Sequence, residues 1–184
     1  ADRLVSQLEE ARAQADFSIC FLHCGEEYSD APTDEVEALV EKLVDAGADV
    51  VACTHPHVAQ RTETVTTAKG NTGLVCYSLG NFVSDQTVPG TVLGLALSMT
   101  FEKPRAATDE GTEGAGTAAR LSSVTVIPTV CHVADGHTTA YLLEDYTDEM
   151  ARSHFQNTVE AGSVTLASLH EQWIALTDHD PAAR

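Results

Sequence analysis

The chain has 184 residues, and its 10 Lys and Arg against 28 Asp and Glu give a formal net charge of −18. A chain of this length suits one compact domain or a large part of one. The excess of acid excludes a nucleic-acid groove, because phosphate binding needs clustered Lys and Arg. It also disfavours docking on an anionic membrane. Apolar residues make up 43% of the chain, which is enough for a folded core.

The first part of the chain has the pattern of a β-α-β unit. Apolar residues at helical spacing over residues 3–14 predict a first helix, and residues 16–22 predict a short buried strand. Thr33 is the predicted N-cap of a second helix, whose apolar stripe runs from Val36 to Val44 and which ends at Gly47. Residues 49–53 form the next predicted strand. Strand, helix and strand in this order predict two parallel strands with a right-handed crossover.

The remainder of the chain is predicted to be mostly strands, followed by helices. Strands are predicted at 61–67, 74–77, 91–101, 124–128, 130–133 and 137–143, with a hairpin turn at Asp135-Gly136. Residues 103–119 form a low-complexity insert of Gly, Ala, Thr and Glu that predicts a mobile loop. Helices are predicted over 147–178, where Leu166, Leu169, Trp173 and Leu176 have the spacing of one docking face. The predicted fold class is therefore α/β, with residues 1–184 forming a single unit.

The five cysteines cannot all pair within the chain, because their number is odd. They form no Cys-x-x-Cys motif. Cys20, Cys53 and Cys76 lie inside apolar runs, which predicts small buried side chains. Cys24 and Cys53 would meet if their strands are neighbours.

Three of the eight histidines follow the two predicted parallel strands. His23 ends the first strand, and His55-Pro56-His57 follows the second. Parallel strands end at the same edge of a sheet, where ligands bind in α/β proteins. Neutral imidazole is a common metal ligand, so this edge is a candidate site for a divalent ion. The alternative is an incidental His-x-His pair. The other five histidines are predicted to be structural or at the surface, and they are His132, His137, His154, His170 and His179.

Two further side chains are candidates for chemistry near this edge. Glu26 and Glu27 follow His23, and a carboxylate there would orient an imidazole or act as a general base; the alternative is a solvated acidic loop. Asn81 follows another strand and would donate to a substrate oxygen; the alternative is a turn with Phe82 in the core. The chain contains no Gly-x-Ser-x-Gly, P-loop or Gly-x-Gly-x-x-Gly motif, so hydrolase-triad, nucleotide-hydrolysing and dinucleotide-binding functions lack their usual support.

Four ordered segments resemble the bacterial capsule-synthesis family, the CapA or poly-γ-glutamate biosynthesis proteins. They are His23-Cys24-Gly25-Glu26-Glu27-Tyr28, Gly47-Ala48-Asp49-Val50-Val51, His55-Pro56-His57-Val58 and Tyr77-Ser78-Leu79-Gly80-Asn81-Phe82. The resemblance covers residues 16 to about 86. Two positions depart from the family pattern: Cys24 stands where the family usually has Trp, and Cys53-Thr54 stands where it has Gly-His.

The resemblance implies a metallophosphoesterase-like α/β sandwich with a site for divalent metal ions. It implies that His23, His55 and His57 are metal ligands and that Glu27 and Asn81 are catalytic residues near the metal. The family's N-terminal half carries Asp and Asn/Glu motifs that have no match here. The chain therefore resembles the C-terminal portion, and we expect it to bind metal weakly and to be inactive on phosphoesters by itself.

The resemblance also implies partners and a location. The partners would be the N-terminal half of the same protein, the capsule polymer and other capsule-synthesis proteins. The location would be the extracellular face of the cell envelope, with a membrane anchor before Ala1. Two functions stay open: a metal-dependent hydrolase of a phosphoester or related bond, and a non-enzymatic accessory of capsule assembly or export with a vestigial site.

Overall fold

The structure is a computed structural model that describes residues 1–86, 88, 90–103, 119–159 and 163–177. Within these residues the chain forms a four-stranded sheet, a three-stranded sheet and five α-helices. The α/β fold class predicted from the sequence is confirmed. None of the helices in the described ranges is long and apolar enough to cross a membrane. Residues 104–118 of the predicted mobile loop, and His179, lie outside the described residues.

The first sheet begins with the predicted β-α-β unit. Helix α1 (Asp2–Arg12) leads into strand β1 (Ile19–His23), and helix α2 (Asp34–Asp45) connects β1 to strand β2 (Val50–Thr54). The two strands are parallel, with Leu22 opposite Cys53 and His23 opposite Thr54. The parallel pairing predicted from the sequence is therefore present, and both strands end at one edge of the sheet.

Local sequence signals explain where α2 begins and ends. The Thr33 hydroxyl accepts a hydrogen bond from the backbone N–H of Val36, which satisfies one free donor of the first turn. The helix buries a stripe of apolar side chains against the sheet, namely Val36, Val40, Leu43 and Val44. Gly47 follows with a φ of 100°, a conformation that glycine adopts at little cost.

Two more strands complete the first sheet in the order β1-β2-β4-β3. Strand β4 (Thr72–Cys76) lies parallel to β2, and strand β3 (Thr62–Thr66) pairs with β4 in the antiparallel direction. Strands β1 and β3 are therefore the two edges of this sheet.

The second sheet is antiparallel, in the order β5-β6-β7. It consists of β5 (Leu93–Glu102), β6 (Arg120–Ala134) and β7 (His137–Leu142), and the predicted hairpin turn has positive φ at both Asp135 and Gly136. Strand β6 runs unbroken through Pro128, where the sequence predicted two strands. The N–H of Leu95, opposite Pro128, donates to the carbonyl of Leu79 instead of to β6. Pairing with β7 begins only at Thr129, so the missing N–H of Pro128 disrupts no ladder bond.

The C-terminal helices cover one face of the second sheet. A short 3₁₀ turn (Leu143–Asp145) precedes α3 (Asp148–Ser153), α4 (Gln156–Val159) and α5 (Leu166–Thr177). The predicted docking face of α5 packs on this core, where Leu169 is buried and Leu166, Trp173 and Leu176 are partly buried.

The two sheets meet at a backbone crossing. Gly80 forms an isolated bridge with Gly94, and Ala59 forms one with Leu79. Gly80 has a φ of 65°, and a Cβ atom there would lie 2.7 Å from the carbonyl oxygen of Leu93. Only glycine permits this close approach, which fixes the loop that follows β4.

A buried pair of histidines lies under the second sheet, where the sequence predicted structural or surface roles. The Nε2–H of His154 donates to the carbonyl of Cys131 at 3.1 Å, and the backbone N–H of Gln156 donates to its Nδ1. Its neighbour His132 lies 2.7 Å from the Tyr146 hydroxyl through Nδ1, with Tyr141 against its ring. Burial lowers the pKa of both imidazoles, and each ring is held neutral.

This pair predicts a loss of stability in mild acid. The pKa values are lowered in the folded state, so the unfolded chain binds more protons as the pH falls through about 6.5. We expect the free energy of unfolding, measured by urea denaturation, to be lower at about pH 5.5 than at about pH 7.5. His132→Phe should reduce this pH dependence, whereas His137→Gln, at an exposed position, should leave it unchanged. An equal pH dependence in wild type and His132→Phe would contradict the assignment.

Candidate metal site

Three imidazoles lie close together at the carboxyl edge of the first sheet. His23 is the last residue of β1, and His55 and His57 stand in the loop directly after β2. The ring centroids of His23 and His55 are 4.7 Å apart, and those of His55 and His57 are 6.3 Å apart. The parallel pairing of β1 and β2 thus brings together all three histidines that the sequence singled out.

A carboxylate completes a group of possible metal ligands. The ligating atoms of Glu27, His55 and His57 all lie within 4.8 Å of one another. The Oε1 atom of Glu27 is 4.0 Å from Nε2 of His57, and both side chains are partly accessible to solvent. His23 adjoins this group through its contact with His55. Imidazole nitrogen and carboxylate oxygen together suit zinc and other divalent transition metals.

The loops that carry these side chains have strained backbone. His55 has a φ of 108°, and His57 and Tyr28 each have a φ of 64°, a region that non-glycine residues rarely adopt. Strain of this kind is concentrated at functional sites in proteins. Gly25, with a φ of 113°, lets the loop after β1 lie against Pro56, since a Cβ there would be 3.1 Å from the proline ring.

Asn81 determines which ring nitrogen of His57 carries the proton. The Nδ2 group of Asn81 donates to the carbonyl of Thr91 at 3.1 Å, which points its Oδ1 at His57 Nδ1, 2.9 Å away. Because that oxygen can only accept, Nδ1 of His57 carries the proton and Nε2 presents its lone pair. The lone pair is on the nitrogen that faces Glu27.

Thr54 does the same for His23. Its hydroxyl donates to the carbonyl of Leu22, and its oxygen lies 3.2 Å from His23 Nδ1. Since the single hydroxyl proton is already used, His23 Nδ1 donates to this oxygen and Nε2 is left as an acceptor. Hydrogen bonds that set the tautomer in this way are typical of metal-ligating histidines.

Tyr28 supports the site from the side. Its ring stacks on His57 with centroids 6.0 Å apart, its backbone N–H donates to the carbonyl of Pro56, and its hydroxyl donates to Gln86 Oε1 at 2.9 Å. The sequence placed Tyr28 in a motif without giving it a role, and it gave Thr54 none. Adjacency to the histidines was the only signal that pointed to either residue.

One sequence expectation for this region changes. Asn81 uses one amide N–H on the carbonyl of Thr91 and its oxygen on His57, and the expected donation from its amide to a substrate oxygen stays a prediction. The alternative that placed Phe82 in the core is wrong, because that side chain is 63% exposed.

Beside the site, Cys24 and Cys53 are free thiols in contact, and the hydrogen bond from Cys53 lowers the pKa of Cys24 to about 7.

The segment that carries this site matches a known protein family. Residues 1–86 match the model of the bacterial capsule synthesis protein family PGA_cap. Over these residues, the chain is similar to the bacterial capsule-synthesis family. The matched segment contains α1, the whole first sheet and all the candidate site residues.

Two curated relatives agree with this similarity. The chain is 40% identical over 89 residues to the capsule biosynthesis protein CapA of Bacillus anthracis, and 38% identical over 82 residues to the PGA biosynthesis protein CapA of Bacillus subtilis strain 168. These matches span 46% and 45% of this chain. They span only 20% of the length of each relative.

The strain at His55 predicts that two variants of this residue differ in stability but not in metal affinity. We expect His55→Gly to be more stable than His55→Ala by about 1 kcal/mol, because glycine adopts positive φ readily and alanine does not. Both variants lack the imidazole, so both should lose the same fraction of any divalent-metal affinity. Urea denaturation and metal titration of the two variants measure these effects. Equal stability of the two variants would show that the loop is not strained in solution.

Proposed function

We propose that the edge of the first sheet is a divalent-metal site and that the family domain to which it belongs is a metal-dependent hydrolase of a phosphoester or related bond. The observation that carries this proposal is the pair of tautomer-setting contacts at His57 and His23. Each contact leaves Nε2 free to bind a cation, which is the arrangement typical of metal-ligating histidines.

The donor set fits a divalent cation of the zinc or manganese type. Glu27, His55 and His57 would hold the ion, with His23 beside them, and no Lys or Arg is within ion-pairing distance of Glu27 among the described residues. A divalent ion in such a site supplies Lewis-acid polarisation of an ester oxygen and lowers the pKa of bound water. The chain's own residues present the imidazole lone pairs, and Asn81, Thr54 and Tyr28 keep the rings in place.

Completion of the site would come from outside the described residues. Three to four protein ligands are usual for one catalytic ion, and a two-metal site needs a bridging carboxylate as well. We therefore propose that the remainder of the family domain, its N-terminal half, is the partner that adds ligands. The matched relatives carry four-fifths of their length outside the segment shared with this chain, which leaves ample polypeptide for this purpose.

The biological setting follows from the relatives' names. Both are capsule or PGA biosynthesis proteins, so we propose action in the cell envelope on a poly-γ-glutamate-type capsule polymer, together with other capsule-synthesis proteins. The net charge of −18 would repel a polyanion, and bridging cations at the site would offset that repulsion.

A second candidate is an accessory protein that binds polymer without hydrolysing it. The observation that favours it is the donor set of the described site, which holds one carboxylate and three imidazoles and no further carboxylate to bridge two metal ions. Phosphodiesterase turnover by a full-length capsule-synthesis protein of this family, lost in a variant equivalent to His55→Ala with His57→Ala, would support hydrolysis. Normal polymer output from that variant would favour the accessory function.

The site predicts measurable but weak metal binding by this chain. We expect isothermal titration with Zn²⁺ and with Mn²⁺ to show binding that falls at least about tenfold in the double variant His55→Ala, His57→Ala. His137→Ala, which removes an exposed imidazole far along the chain, is the matched control and should bind like wild type. We also expect no turnover of p-nitrophenyl phosphate by the isolated chain. Unchanged affinity in the double variant would overturn the site.

The contact between Asn81 and His57 predicts a graded effect on metal affinity. Asn81→Ala frees the His57 ring and should weaken Zn²⁺ binding about tenfold to a hundredfold. Asn81→Asp keeps an acceptor at Nδ1 and should retain more affinity near neutral pH. The aspartate would also favour the protonated ring, so its metal binding should decline at a higher pH than that of wild type. A loss that is equal in both variants and independent of pH would indicate a structural role only.

A further inference from the structure

The two edges of the first sheet have different chemistry. Strand β3, with the sequence Thr-Glu-Thr-Val-Thr, carries hydroxyls and a carboxylate, and Arg61 beside it is paired with Glu37 and Glu63. Polar and charged side chains are a common protection of a sheet edge against unwanted pairing. Strand β1, with the sequence Ile-Cys-Phe-Leu-His, has no such protection.

The backbone of β1 offers hydrogen bonds outward. The N–H of Cys24 donates to the carbonyl of Thr54 in β2. In a parallel ladder, alternate residues bond to the same neighbour, so the backbone groups of Cys20 and Leu22 also face β2. Those of Ile19 and Phe21 therefore point to the open side, where no strand pairs with them among the described residues.

An apolar groove follows this open edge. It has a volume of about 360 Å³ and lies between α1 and β1. Its apolar lining includes Leu4, Leu8, Ala11, Phe17, Ile19 and Phe21. Phe21 is 73% exposed and Ile19 is 39% exposed, whereas their partners in β2, Ala52 and Val50, are 2% and 0% exposed. The packing that buries Val50 and Ala52 of β2 therefore does not extend to Ile19 and Phe21 of β1.

The shape of this edge argues against a second copy of the chain as its occupant. Two copies paired through β1 would bring two identical grooves face to face. Each copy would also bring a charge of −18. A single added strand with apolar side chains would satisfy the free backbone groups and fill the groove, which is the mode of recognition known as β-augmentation.

We propose that the open edge of β1, with the groove beside it, is the docking surface for one apolar β-strand of the family domain's remaining polypeptide. The matched relatives contain that additional length, since the shared segment is one-fifth of each. A strand next to β1 would lie beside His23, the last residue of β1 at the candidate site. The source of the strand rests on the proposed function, whereas the open edge and the groove do not depend on a metal.

The test is co-expression of the 184-residue chain with a tagged polypeptide that comprises the Bacillus subtilis relative without its matched segment. We expect the chain to co-purify, and the amides of Ile19 and Phe21 to exchange with deuterium at least about tenfold more slowly than in the chain alone. Phe21→Glu should weaken the complex by at least about tenfold. Thr64→Glu, which adds the same charge on the exposed face of the opposite edge strand, should leave it unchanged.

Four outcomes would overturn the inference. Three are the absence of a complex, unchanged exchange at Ile19 and Phe21 within a complex, and equal weakening by Phe21→Glu and Thr64→Glu. The fourth is a dimer of the chain alone that Phe21→Glu dissociates, which would assign the edge to a second copy. His55→Ala with His57→Ala separates this inference from the proposed function, because that variant should lose metal and keep the complex.

Discussion

The parallel pairing of β1 with β2 is the constraint on which the rest of the candidate site depends. It makes both strands end at one edge, so the loop after His23 and the loop at His55 and His57 have to share the same small space. That crowding accounts for the positive φ values of His55 and His57, and for the need for glycine at position 25 against Pro56. The packing of two loops on one edge thus creates both the proximity of the imidazoles and the backbone strain.

The hydrogen bonds around the histidines then determine which nitrogen of the ring is available to a ligand. Neutral imidazole can present either nitrogen to a ligand, and the tautomer is decided by the partner of the other nitrogen. Asn81 decides it for His57, and Thr54 decides it for His23. Asn81 can do so only because Gly80 and Gly94 allow the loop after β4 to cross the second sheet at backbone contact distance. The second sheet therefore contributes to the site without supplying a ligand.

The sheet that positions the site has one edge, β1, on which no further strand pairs among the described residues. The β3 edge is polar, whereas the β1 edge is apolar, has free backbone groups and borders a groove. An exposed apolar edge is a hazard in a soluble protein, so its presence indicates a surface that is normally covered. The two matched relatives are about five times as long as the segment they share with this chain, which fits the proposal that further polypeptide covers this edge.

Local signals in the sequence determined the β-α-β unit. Thr33, the apolar stripe of α2 and Gly47 specify a helix of the observed length, and the strands on either side then have to be parallel. That step alone predicted His23, His55 and His57 at one edge, because strand direction is a property of the connection and not of distant contacts. Only the tertiary structure decided the orientation of Asn81, the contacts of Tyr28 and the continuity of β6 through Pro128. Asn81 is oriented by the carbonyl of Thr91, and the Tyr28 hydroxyl is bound by Gln86. Opposite Pro128, the N–H of Leu95 is satisfied by the carbonyl of Leu79. No local sequence pattern encodes these contacts, because they join separate segments of the chain.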